Sequence, residues 1–166
     1  MTLIDWLRRN LAGMPEAPDS RLAESGLPSQ IAAEHAETCY SGLNFYSAIQ
    51  SHQQWKARLG AYARGDSDEQ LDVATISRDD RCALGIWLHH DARVPLAQFG
   101  LFNRLLEEHA EFHRQAGEVV RLIQSGAGES ACMELAKGQY ARMSHKVIST
   151  LSELYLAVTL PPGRTH

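Results

Sequence analysis

The sequence lacks the features that mark proteins of membranes, nucleic acids or secretion. No run approaches the roughly 18 apolar residues that a membrane span requires. The first residues carry charge throughout, so they offer no apolar core of signal-peptide length. Lysine and arginine are scattered through a chain of net charge −4, whereas phosphate binding needs a concentrated basic face. These absences predict a cytoplasmic protein that has neither a membrane nor a nucleic acid among its partners.

Cysteine is also scarce. The chain has three cysteines, Cys39, Cys82 and Cys132, at wide and irregular separations. An odd number at such spacing does not fit a disulfide framework, and in a reducing compartment it favours free thiols or a metal ligand.

What is present is helical periodicity over most of the chain, without an alternating strand pattern or an internal repeat. With 166 residues, of which 44% are hydrophobic, one domain can bury a sizeable core. Four longer helical segments are predicted. They run from beyond Ser29 to about Arg64, from the Ser-x-x-Asp capping box at 77–80, from a first turn at Pro95, and from about Glu129 to Val158.

Short connections between these segments predict an all-α fold, an antiparallel four-helix bundle with additional short N-terminal and connecting helices. Residues 29–160 form the bundle in this prediction. Residues 1–28 combine a short amphipathic helix with a linker rich in proline and glycine, and residues 161–166 form a tail.

Four side chains on predicted inner helix faces are candidate metal ligands. His109 and His113 lie four residues apart, which places both imidazoles on one face of a helix. His52 and Cys82 lie on the inner faces of two other segments. An unpaired buried imidazole costs about 1–3 kcal/mol unless something satisfies it. Three imidazoles and one thiolate suit tetrahedral zinc, and core histidines with backbone partners are the alternative explanation.

The sequence around these residues resembles a known family. His52 is followed by Gln-Gln-Trp-Lys, residues 82–88 read Cys-Ala-Leu-Gly-Ile-Trp-Leu, and residues 109–113 read His-Ala-Glu-Phe-His. In this order the three blocks resemble the chemoreceptor zinc-binding (CZB) domain, over about residues 35–158. The middle block is the specific one, whereas the last alone would be weak.

The resemblance implies a function. It assigns one Zn²⁺ to His52, Cys82, His109 and His113, with Trp55 and Trp87 packing around the site. Domains of this family serve as cytoplasmic sensors in bacteria, often as homodimers, attached to chemoreceptors or diguanylate cyclases. They are reported to respond to zinc or to oxidants such as hypochlorous acid. This chain shows no methyl-accepting coiled coil and no cyclase domain, so we expect either an output through a separate signalling protein, in chemotaxis or cyclic-di-GMP control, or no output.

Three other classes of helical protein also place histidines on inner helix faces. A zinc peptidase needs glutamate directly after the first histidine of His-Glu-x-x-His, but Ala110 holds that place and Glu111 comes one residue later. A hemerythrin-like di-iron bundle needs carboxylates at i+4 from histidines, whereas Lys56 lies four residues after His52. A helical interaction module without metal would leave the histidines as core residues. A site closed by four protein ligands leaves no open position for catalysis, so we expect a sensor rather than an enzyme.

Overall fold

The computed structural model describes residues 39–40 and 42–159. Within that part of the chain, two short strands and six helices follow one another. They are β1 (Cys39–Tyr40), β2 (Leu43–Asn44), α1 (Phe45–Ala63), α2 (Val73–Ile76), α3 (Ala83–His89), α4 (Gly100–Gln124), α5 (Gly128–Lys137) and α6 (Gln139–Thr159). The all-α class is confirmed, and α2 and α3 are short connecting helices of the predicted kind. The predicted helix and linker at 1–28 and the tail at 161–166 lie outside the described residues.

The two longest helices, α4 and α6, pack along each other in opposite directions. Arg104, early in α4, donates a hydrogen bond to Glu153 near the end of α6 (2.6 Å). Further along α4, the ring of Phe112 lies 5.3 Å from the ring of Tyr140 at the start of α6. The amphipathic pattern of α4 explains its place in the core, because its apolar side chains recur at helical spacing. They include Phe102, Leu105, Phe112, Ala116 and Val120, all of them buried.

Helix α1 also runs against α6. The ring of Phe45 lies 5.3 Å from Tyr155 near the end of α6, and His52 bonds Ser144 near its beginning. Helices α1 and α4 therefore point the same way and are joined by the long connection that contains α2 and α3. The antiparallel four-helix arrangement in its full form stays a prediction.

Several predicted helix boundaries are wrong. Residues 39–40 pair with residues 43–44 as two short antiparallel strands, and the first helix begins only at Phe45, where Asn44 accepts a hydrogen bond from the backbone of Ser47 (2.8 Å). Pro95 does not open a helix, because α4 begins at Gly100. Between α1 and α4, the side chain of Asp72 caps the N-terminus of α2 and that of Cys82 caps the N-terminus of α3.

The capping box at 77–80 is a second error. Ser77 ends α2 instead of opening α3, and its hydroxyl donates to the carbonyl of Val73 (2.8 Å). A hydroxyl can bond backward to a carbonyl one turn earlier as well as forward to an amide, so the pattern alone did not distinguish the two ends of a helix.

The predicted last helix is divided at Gly138. A Cβ at this position would lie 2.1 Å from a carboxylate oxygen of Glu134. That oxygen accepts the backbone N–H of Gln139 (2.7 Å), the first residue of α6. The side chain of Glu134 therefore caps a new helix at the point where the glycine interrupts the old one.

The predicted aromatic packing is partly visible. Trp87 is buried, and its ring meets the ring of Phe45 edge-on at 5.6 Å. Trp55 is buried on α1, with the guanidinium of Arg58 5.1 Å from its ring centre. Both tryptophans belong to the hydrophobic core that the inner faces of the helices form. No helix of the described residues is both long and apolar enough to cross a membrane.

Candidate metal centre

Cys82 lies at the N-terminus of α3 as its capping residue. Its sulfur accepts the backbone N–H of Gly85 (3.2 Å), in the way that an oxygen would at an ordinary cap. Loss of solvent around the sulfur raises the pKa of the Cys82 thiol to about 11, and the hydrogen bonds from backbone N–H groups oppose that rise only in part. Near neutral pH the group is therefore a thiol unless a cation takes the place of its proton.

His109 and His113 lie one turn apart on the inner face of α4, as the sequence predicts. Their ring centres are 4.7 Å apart, and their exposed fractions are only 1% and 6%. His109 Nε2 lies 3.3 Å from the sulfur of Cys82. The other ring nitrogen of His109, Nδ1, is buried and has no hydrogen-bond partner among the described residues. His109 thus places one ring nitrogen beside the thiol, while its other ring nitrogen stays unsatisfied, which is unfavourable for a buried polar atom.

His113 is held by the backbone of α2. Its Nδ1 lies 2.8 Å from the carbonyl oxygen of Ile76. A carbonyl can only accept, so Nδ1 must carry the proton, and Nε2 keeps a lone pair. A histidine that ligates a metal commonly donates its second ring nitrogen to a carbonyl in this way. The geometry therefore leaves His113 ready to act as a ligand through Nε2.

The three donor groups fit a tetrahedral cation. One ligand atom from each of Cys82, His109 and His113 lies within 4.8 Å of the other two. Zinc bonds of about 2.3 Å to sulfur and about 2.0–2.1 Å to nitrogen, at tetrahedral angles, place the two donor atoms about 3.6 Å apart. The observed 3.3 Å between sulfur and His109 Nε2 is close to that separation. A metal on Nε2 keeps the proton of His109 on Nδ1, a buried nitrogen that has no hydrogen-bond partner among the described residues.

The imidazoles of this region are kept neutral. Burial lowers the pKa of His109 well below its ordinary value, and the neighbouring His113 and His52 lower it further. Burial also lowers the pKa of His113, against the opposing effect of its bond to Ile76. Neutral imidazoles are the form that binds metals, so the cluster is electrically suited to a divalent cation.

His52, the fourth predicted ligand, is not part of the three-residue cluster. Its Nε2 lies 3.0 Å from the hydroxyl of Ser144 on α6, and its ring lies 4.2 Å from the ring of Phe112. Burial, with smaller effects from His113 and Lys56, lowers its pKa to about 4. His52 is therefore a neutral core histidine near the cluster, and its role as a ligand stays a prediction.

A comparison with protein families agrees with this geometry. Residues 52–120 match the family model of the chemoreceptor zinc-binding domain. The matched segment is shorter than the predicted range of resemblance, residues 35–158, and it covers less than half of the chain. It begins at His52 and includes Cys82, His109 and His113. The resemblance drawn from the three sequence blocks is thus confirmed. No curated protein and no solved structure matches the chain.

Sequence reasoning missed the groups that support the ligands. The acceptor for His113 is a backbone carbonyl and not a glutamate of its own helix. Two such glutamates are bonded elsewhere, because Glu108 accepts a hydrogen bond from the hydroxyl of Thr150 (2.6 Å) and Glu111 accepts one from the amide of Gln115 (2.7 Å). The close approach of Asp79 to Gly85 and of Ser77 to Gly117 was also missed. A glycine in the middle of a helix costs stability and commonly has a packing reason, so Gly117 carried a signal that could have been read.

Proposed function

We propose that this protein is a regulatory domain that binds one Zn²⁺ through Cys82, His109 and His113, with His52 as the fourth ligand. The observation that carries the proposal is the convergence of one sulfur and two neutral imidazoles within 4.8 Å of one another. A thiolate with nitrogen donors favours zinc over magnesium or calcium, which prefer oxygen. Nε2 of His52 bonds Ser144 in the described structure, and in this proposal that nitrogen exchanges the hydroxyl for the metal.

A regulatory role fits the surroundings of the site better than catalysis. Ala110 follows His109 where a zinc peptidase has its glutamate base. Glu111, the next carboxylate, is engaged elsewhere, because it pairs with Arg114 and accepts a hydrogen bond from Gln115. With His52 in the fourth position, all ligands come from the protein and no position remains for substrate.

We propose that zinc occupancy or the oxidation of Cys82 is the signal. The thiolate reacts with hypochlorous acid to give a sulfenic acid and chloride, and this reaction removes the soft ligand. The ligands lie on α1, on α4 and at the start of α3, so losing the metal loosens the packing between these helices. We place the domain in the bacterial cytoplasm as a homodimer, acting on a chemoreceptor or diguanylate cyclase.

The proposal is tested by the metal content of protein purified without a histidine tag. We expect one zinc per chain, its release by hypochlorous acid, and faster hydrogen exchange in α3 and α4 after release. Cys132 provides a matched control, because it is an exposed free cysteine that is not part of the three-residue cluster. Cys132→Ala should keep both the zinc and its release, whereas Cys82→Ala should contain no zinc from the start.

The outcomes separate the alternatives. Protein without bound metal, unchanged by added zinc, would favour an interaction module whose histidines are core residues. Two irons per chain would indicate a hemerythrin-like centre instead, although the gathered donors are a thiol and two imidazoles rather than carboxylates. Light scattering before and after oxidation tests the homodimer in the same samples.

A further inference from the structure

A short backbone segment, residues 76–79, lies against the candidate metal centre and is called the strap here. It begins with Ile76, the last residue of α2, whose side chain is 2% exposed. The carbonyl of Ile76 accepts the Nδ1 proton of His113 (2.8 Å). One end of the strap therefore determines which nitrogen of His113 is available to a metal.

The strap approaches α4 at Gly117, one helical turn after His113. A Cβ at Gly117 would lie 2.0 Å from the hydroxyl oxygen and 3.2 Å from the Cβ of Ser77. The hydroxyl of Ser77 is held by its bond to the carbonyl of Val73 (2.8 Å), so moving it aside breaks that bond. Only glycine at position 117 lets the strap come this close to α4. The close approach lies one turn from His113, to which the carbonyl of Ile76 is hydrogen-bonded.

The other end of the strap approaches α3 at Gly85. A Cβ at Gly85 would lie 1.7 Å from the carbonyl oxygen of Asp79 and 3.2 Å from Cε1 of His109. The carboxylate of Asp79 also bonds Nε2 of His89 at the end of α3 (2.9 Å). The strap is therefore held by a hydrogen bond at each end, and one glycine on each of the helices that carry the cluster leaves room for it.

We propose that the strap is a positioning element of the metal centre, and that Gly117 and Ser77 set the tautomer of His113 through it. The proposal rests on the proposed function, since it assigns His113 to the metal. Without the Ile76 carbonyl, the imidazole is free to carry its proton on Nε2, and that nitrogen then cannot bind a cation. Groups that orient ligands in this way typically contribute 10- to 100-fold to metal affinity.

The test is Gly117→Ala, measured in two ways. In metal-free protein, ¹⁵N NMR of the imidazoles reports the tautomer of His113, at a pH where the ring is neutral. We expect wild type to show the Nδ1–H form and Gly117→Ala to show loss of that form. Zinc affinity, by competition with a chelator, should fall about 10- to 100-fold. Gly100→Ala is the matched control on α4, because a Cβ at Gly100 meets nothing within 4 Å.

The double variant Gly117→Ala/Ser77→Gly separates positioning from a general effect on folding. Removing the Ser77 side chain restores the space, so both the tautomer and the affinity should return toward wild type. Failure of the double variant to recover, or to fold, would overturn the proposal, as would a Gly117→Ala protein with unchanged tautomer and affinity. If wild type binds no zinc, the proposed function fails, while the NMR measurement still decides whether the strap sets the tautomer.

Discussion

Among the described residues, histidines are buried in two places, which satisfy their ring nitrogens differently. On α1, His52 bonds the hydroxyl of Ser144 at 3.0 Å and lies against Phe112, an ordinary environment for a core imidazole. On α4, His109 has a buried Nδ1 without a partner among the described residues, and its Nε2 lies 3.3 Å from the sulfur of Cys82. The first environment pairs its imidazole with a hydroxyl, whereas the second gathers donor atoms from three residues that suit a metal.

This difference teaches which histidines point to a metal. Burial alone does not, because His52, His109 and His113 are all buried and all have lowered pKa values. What distinguishes the second environment is the convergence of donor atoms, together with a carbonyl that fixes the proton of His113. We therefore expect removal of a donor from the cluster to act mainly on zinc affinity, and removal of the partner of His52 to act mainly on the stability of the metal-free protein.

The largest effect is expected from Cys82→Ser. Serine is a good helix N-cap, so it keeps the bond to the N–H of Gly85 while the thiolate is lost. Zinc affinity should fall by more than the roughly 100-fold that supporting groups contribute, since a ligand itself is removed. Chelator competition measures the fall, and urea unfolding of the metal-free protein should show stability near that of wild type. Unchanged zinc affinity would show that the sulfur of Cys82 is not a ligand of the metal.

The next effect is expected from Gly85→Ala. Its Cβ would collide with the backbone carbonyl of Asp79 at 1.7 Å, which no side-chain rotation relieves. Overpacking of this kind typically lowers the free energy of unfolding by about 1–3 kcal/mol. Because the Cβ would collide with backbone, we expect a loss at or above the upper end of that range. The free energy of unfolding in urea measures it, with Gly100→Ala as the control. A variant as stable as the control would show that the strap is not held where the structure has it.

A smaller effect concerns His52. Ser144→Ala leaves Nε2 of His52 without its partner, so the metal-free protein should lose about 1–3 kcal/mol of stability. In the zinc-loaded protein the loss should shrink, because the metal replaces the hydroxyl as the partner of His52. A double-mutant cycle with His52→Leu isolates the pair. The same loss with and without zinc would show that Nε2 of His52 does not bind the metal.

The smallest effect is the pH dependence of the metal-free protein. Burial lowers the pKa of His52 from 6.5 to about 4, so the unfolded chain binds more protons than the folded one between these values. Stability is therefore fully present above about pH 6.5 and declines as the pH falls toward 4. From pH 7 to 6 the loss should be under about 1 kcal/mol for each such imidazole. Urea midpoints across this range measure it, and a flat profile would contradict the assigned burial.

The sequence could predict what depends on local periodicity. The stripe Phe102, Leu105, His109, Phe112 and His113 follows from helical spacing within a single element, and its side chains are buried as expected. The specific order of the three sequence blocks also indicated the family, as the match to residues 52–120 confirms.

The sequence could not predict contacts made between distant elements. His52 and Ser144 are 92 positions apart, and no local pattern connects them. The acceptor for His113 is a main-chain carbonyl, which any residue at position 76 would supply. The end of α2 was misread because Ser77 fits the start of a helix as well as its end. These features depend on tertiary packing rather than on side-chain type.

The most direct test of the central claim is zinc X-ray absorption on the purified wild-type protein. The account predicts one zinc per chain, with one sulfur at about 2.3 Å and imidazole nitrogens at about 2.0–2.1 Å. Cys82→Ser should lack the sulfur shell. A protein that retains no zinc, or a zinc bound without sulfur, would contradict the assignment of Cys82, His109 and His113 to one metal ion.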